Sequence, residues 1–135
     1  MQVHQIISTH PDVSSSTNDV LIRAIEQMLE CAQICQVCAD ACLAEDMVTE
    51  LRQCIRTDLD CADICAATAR LAARRTGSNE ALIMEALRLC ERACGLCADE
   101  CERHADMHAH CRICAQTCRA CQSACSEAAA SIITH

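Results

Sequence analysis

The twelve residues from Cys31 to Cys42 read CAQICQVCADAC. Their four thiols, Cys31, Cys35, Cys38 and Cys42, stand four, three and four residues apart, with mostly helix-forming residues between them. Steps of three and four keep side chains on one face of an α-helix, so the stretch predicts a helix bearing a stripe of sulfur.

The same step recurs along the chain. Cys54, Cys61 and Cys65 make a second ladder, Cys90, Cys94, Cys97 and Cys101 a third, and Cys111, Cys114, Cys118, Cys121 and Cys125 a fourth. The one step of seven, Cys54 to Cys61, passes over Asp58, which falls on the same face and interrupts the ladder. Apolar residues prolong the stripes: Leu21, Ala24 and Met28 lead to Cys31, and Ile83 and Leu87 lead to Cys90. Each stripe therefore reads as an inward-facing seam.

Composition agrees with long helices. The 135 residues hold two glycines (Gly77 and Gly95), one proline (Pro11) and no aromatic side chain, which leaves little of the turn chemistry that β-folds need. This length suits one domain. The expected fold is all-α, an up-down-up-down four-helix bundle over residues 16–135 preceded by a short N-terminal arm or helix over residues 1–15. Ser16 or Thr17 is the expected cap of the first ladder helix and Asp46 of the second. Arg74 and Arg75 are expected in the second helix's last turn, with Gly77 past its end and Ser78 capping the third. The third connection is expected near Ala105 to Met107. The first and third connections then share one end, and Leu21, Ala72, Ile83 and Ile132 plug the other.

Packing alone does not account for sixteen cysteines. Without Phe, Tyr or Trp, a core of small thiols leaves empty volume, which costs about 24 cal/mol per Å³. Disulfides within a ladder are strained, since residues three or four apart on a helix hold their Cβ atoms about 5 to 6 Å apart, against about 3.8 Å in a disulfide. Two sulfurs at that spacing do suit one metal ion between them. A row of buried Cys₄ zinc sites, each of net charge about −2, would repel itself. Monovalent, soft Cu(I) lets each thiolate bridge two ions and brings the array near neutrality. The expected cargo is therefore Cu(I), many ions per chain, with no enzymatic role. The alternative is a general Zn(II) or Cd(II) buffer or a redox thiol buffer. Iron–sulfur ligation and thioredoxin-like use of CQVC, CGLC, CRIC or CRAC fit less well, the first favouring loops and the second a βαβ context.

At the end shared by the first and third connections, HADMHAH, His104 to His110, meets Glu45, Asp46 and Met47. Imidazole and thioether are weaker, more exchangeable Cu(I) ligands than thiolate, which suits an entrance. His4, His10 and His135 lie outside the seams. A formal net charge of −8 with no lysine argues against nucleic acid as a partner. The first residues, MQVHQIISTHPDVSSSTND, lack the basic start and apolar run of a signal peptide or membrane anchor, so a cytoplasmic location is expected.

Taken together, CAQICQVCADAC, the DCADIC of the second ladder helix and the run CGLCADECERHADMHAHCRICAQTCRAC resemble the cytosolic branch of the bacterial copper storage proteins. The resemblance implies a four-helix bundle filled with Cu(I) and association into a homotetramer. It places the core ligands on the sixteen cysteines and the mouth ligands on His104, Met107, His108 and His110. A copper chaperone or a small-molecule copper carrier is the partner expected to deliver the ions.

Overall fold

The structure, a computed structural model, describes residues 2–13 and 16–134. Met1, Ser14 and Ser15 of the expected arm, and His135, lie outside the described residues. Among the described residues there are five α-helices, one 3₁₀ turn and no strand. They are α1 (Gln2–Ser8), α2 (Asp19–Leu43), the 3₁₀ turn (Val48–Leu51), α3 (Arg52–Ala73), α4 (Glu80–Glu102) and α5 (Ala109–Thr134). The four long helices pack in a ring, α2 on α3, α3 on α4, α4 on α5 and α5 back on α2, while α1 rests against α2.

The helix ends follow different residues from those the sequence suggested. Asn18, not Ser16 or Thr17, caps α2, its side-chain oxygen accepting from the Leu21 N–H at 3.2 Å. Asn18 does so from the left-handed region, φ 52°, which asparagine tolerates better than most residues. Asp46 caps nothing. The chain instead passes through the 3₁₀ turn, where neither Met47 nor Leu51 makes a side-chain cap bond and fully buried Leu51 anchors the connection. Burial of one leucine, not a cap, sets where α3 begins.

Arg74 and Arg75 likewise lie beyond the last turn of α3, which ends at Ala73 with Arg74 already extended. The Arg75 guanidinium donates to the Thr17 carbonyl at 2.7 Å, which ties the α3–α4 connection to the approach to α2. Gly77 takes φ 72° in that connection, where a Cβ would be strained. Asn79 rather than Ser78 precedes α4, without a side-chain cap bond. The third connection falls where expected, between Glu102 and Ala109.

Along the axis of the ring the core changes character. Near the α3–α4 connection it is aliphatic, with Leu21, Ala72, Ile83 and Ile132 buried as the expected plug and Met28 and Leu87 fully enclosed above them. His10 adds a contact from outside, its Nε2 lying 3.1 Å from Thr76 Oγ1. Beyond the plug the lining is sulfur.

Candidate metal centre

All sixteen cysteines are free, and none is more than 2% exposed. Each ladder faces the axis because its step of three or four follows the helical period, so four stripes converge on one column. Within a stripe, Cys31 and Cys35 lie 3.8 Å apart and Cys61 and Cys65 3.9 Å. Between stripes the spacing is the same: Cys35 to Cys118 is 3.6 Å, Cys54 to Cys101 3.6 Å, Cys61 to Cys94 3.7 Å and Cys65 to Cys90 3.5 Å. These are non-bonded contacts between free thiols, longer than the about 2.0 Å of a disulfide, at a spacing that suits shared ligation.

Several quartets have all their donor atoms within 4.8 Å of one another. Cys38, Cys42, Cys54 and Cys111 form one; Cys35, Cys97, Cys114 and Cys118 another; Cys31, Cys35, Cys61 and Cys118 a third; Cys31, Cys65, Cys94 and Cys121 a fourth. Cys31, Cys35 and Cys118 each belong to more than one group. Shared membership distinguishes this column from a row of separate tetrahedral sites, in which each ligand serves one ion. Cys125 completes the column beside Cys121 and Cys90.

Asp58 takes the place of the missing rung. Its side chain is fully buried, and its Oδ1 accepts from the Cys97, Cys114 and Cys101 thiols at 3.1, 3.3 and 3.4 Å. Together with Cys38, Cys54 and Cys101 it makes a further quartet of close donor atoms. Burial, followed by the neighbouring Cys114 and Cys97, pushes its carboxyl far above the usual carboxylate range, so it is protonated at neutral pH without metal. Oδ2 has no hydrogen-bond partner. The interruption seen in the sequence is thus an oxygen donor set among sulfurs.

At the end of the column away from the plug, burial pushes the Cys42 and Cys111 thiols up. Above them the imidazoles gather, though unevenly. His104 and His108 sit in the α4–α5 connection rather than on the helices, yet both are largely buried. Neither ring nitrogen of His104 is hydrogen-bonded, its Nε2 approaching Glu100 Oε1 only to 3.5 Å. His110 reaches inward, with Nδ1 at 3.5 Å from Cys38 Sγ and 3.6 Å from Cys111 Sγ. Met107, by contrast, is 56% exposed. The thioether that meets the cluster is Met47, whose Sδ lies 3.3 Å from His108 Nε2.

Glu45, placed at this end by the sequence but given no role there, joins the His108 and His110 rings. Its Oε2 lies 2.8 Å from His110 Nε2, hydrogen-bonded, and 3.1 Å from His108 Nδ1. The His110 contact is the main reason its carboxyl is held below the usual range. Burial opposes charging of His110, but Cys38 and Glu45 outweigh it and raise its pKa. The only signal in the sequence was Glu45's place in a connection opposite HADMHAH.

The chain resembles known proteins along most of its length. Residues 17–130 match the model of a family described as copper storage protein. A structure of the copper storage protein Ccsp from Streptomyces lividans, loaded with 10 copper equivalents, is 47% identical with a TM-score of 0.91, over 95% of this chain and 98% of that one. A structure of copper loading to a cytosolic copper storage protein from Streptomyces lividans, with five coppers, is 51% identical with a TM-score of 0.82, over 83% and 93%. The Cu(I)-bound copper storage protein BsCsp3 is 34% identical with a TM-score of 0.73, over 82% and 98%.

Proposed function

We propose that this chain, which belongs to the copper storage protein family, sequesters many Cu(I) ions on the thiolates that line its core. The observation that carries the reading is the continuous column of buried, free cysteines at contact spacing, with donors shared between adjacent quartets. Sharing lets one thiolate bridge two monovalent ions, so charge stays balanced along the column without cationic side chains.

The sixteen cysteines are the core ligands in this reading, with Asp58 as an oxygen donor among them. His104, His108 and His110 serve the entrance. Met107 is kept as a candidate outer ligand, and its exposure makes Met47 the stronger thioether. The role is storage, not catalysis. A cytosolic site of action agrees with the relative called cytosolic, and no helix among the described residues is long and apolar enough to cross a membrane. The ring of contacts and the short connections support an up-down-up-down bundle, with α1 docked on its outside. Assembly into a homotetramer, and delivery of copper by a chaperone or a small-molecule carrier, complete the proposal.

Anaerobic titration of the reduced protein with Cu(I), against a competing chelator and with Zn(II) in parallel, tests it. Bridging thiolates predict about one Cu(I) per cysteine, on the order of 16 per chain. Saturation near four ions would point to separate Cys₄ sites, and tighter binding of Zn(II) would favour a general soft-metal buffer.

A further inference from the structure

We propose that Glu45 is a positioning residue of the entrance: its carboxylate fixes opposite tautomers in His108 and His110, so that each ring turns a lone pair toward a sulfur donor. The proposal rests on the storage reading and deepens it.

A carboxylate accepts hydrogen bonds and has none to donate, whereas a neutral imidazole carries a single N–H. That proton goes to the nitrogen facing the stronger acceptor, and an ionised carboxylate is stronger than a thioether or a thiol. His108 presents Nδ1 to Glu45 Oε2 at 3.1 Å, while His110 presents Nε2 to the same oxygen at 2.8 Å. His108 is therefore the Nδ1–H tautomer and His110 the Nε2–H tautomer.

The two free nitrogens then face sulfur. His108 Nε2 looks at Met47 Sδ across 3.3 Å, and two lone-pair donors in that position gain nothing from each other until a soft cation lies nearby. His110 Nδ1 looks the other way, toward Cys38 and Cys111 at the top of the column. The rings stack with centroids 5.4 Å apart at 19°, so one oxygen ties them into a unit with an outer thioether face and an inner thiol face. Orientation of a metal-binding histidine through a carboxylate on its other nitrogen is a general device, and its loss costs about 10 to 100-fold in affinity or activity. His104 lacks this support, since its ring nitrogens are not hydrogen-bonded.

Long-range proton–nitrogen correlation spectra of the ¹⁵N-labelled, metal-free protein, recorded on the alkaline side of the imidazole titration, read the tautomers directly. Wild type should show His108 as Nδ1–H and His110 as Nε2–H. In Glu45→Ala both rings should revert to mixed tautomers, and stopped-flow Cu(I) uptake should slow about tenfold or more with unchanged final capacity. Glu45→Gln offers a carbonyl oxygen that can accept both N–H groups, and should keep the tautomers and most of the rate. Unaltered tautomers or an unaltered uptake rate in Glu45→Ala would overturn the proposal. So would a Glu45→Gln protein that keeps the tautomers yet loads as slowly as Glu45→Ala, because charge rather than orientation would then be acting. A low wild-type capacity would fail the storage reading alone, since the tautomers are measured without copper.

Discussion

Replacing Asp58 with asparagine should stabilise the metal-free protein at neutral pH, and the gain should grow as pH rises. The Asp58 carboxyl is fully buried, and burial lifts its pKa far above the ordinary 3.8. Above about pH 4 the unfolded chain loses this proton while the folded chain keeps it, so the native state binds more protons and stability falls with rising pH. One proton amounts to about 1.4 kcal/mol per pH unit, so the interval from about pH 5 to about pH 7 costs up to about 2.7 kcal/mol. Asparagine has nearly the same shape and does not titrate. Urea unfolding of both reduced, metal-free proteins at the two pH values gives the assay, and the difference between them cancels the titration of groups common to both. We expect that difference to move by about 2 to 3 kcal/mol in favour of Asp58→Asn on going from acid to neutral pH. Parallel pH profiles would refute the argument, and a shift toward wild type would mean that Asp58 is ionised and stabilised by its neighbours.

The apo-protein should already be helical, because its helices have strong formers throughout and bury a continuous seam before any metal arrives. Circular dichroism should change little on adding Cu(I) while the unfolding midpoint rises, and a random-coil spectrum without metal would contradict this. Replacing His104, His108 and His110 together with alanine should slow Cu(I) loading and removal yet leave most of the capacity, since the cysteines remain. Loss of most of the bound copper would make the histidines part of the store, and wild-type exchange with a chelator would make them a mere surface turn.

The ladders were legible because helical geometry writes itself into sequence as a period, and every cysteine the period placed inward is buried. The plug residues followed from the same rule. What escaped was fixed by contacts distant in sequence. Ser16, Thr17, Asn18 and Asp19 are all competent caps, and the choice of Asn18 goes with its amide's contact to Ser131. The second ladder helix, α3, starts late because Leu51 finds the core, and its last turn is cut short where Arg75 reaches Thr17. At the entrance, Met47 and Met107 are chemically alike in the sequence, and only tertiary packing leaves one against an imidazole and the other in solvent. Glu45 was placed at the same end by the turns, but its bond to His110 was not legible, as the two lie more than sixty residues apart.

The burial of every thiol also makes the column a set of clocks. A bulky alkylating reagent or an oxidised disulfide has no sulfur to attack on the folded surface, so each cysteine reacts only as often as the wall around it opens. Residue-resolved labelling of the metal-free protein would thus measure local breathing from the entrance to the plug. The same wall keeps bulky oxidants from the stock until the fold exposes it, which protects the sulfurs during the intervals when they hold nothing.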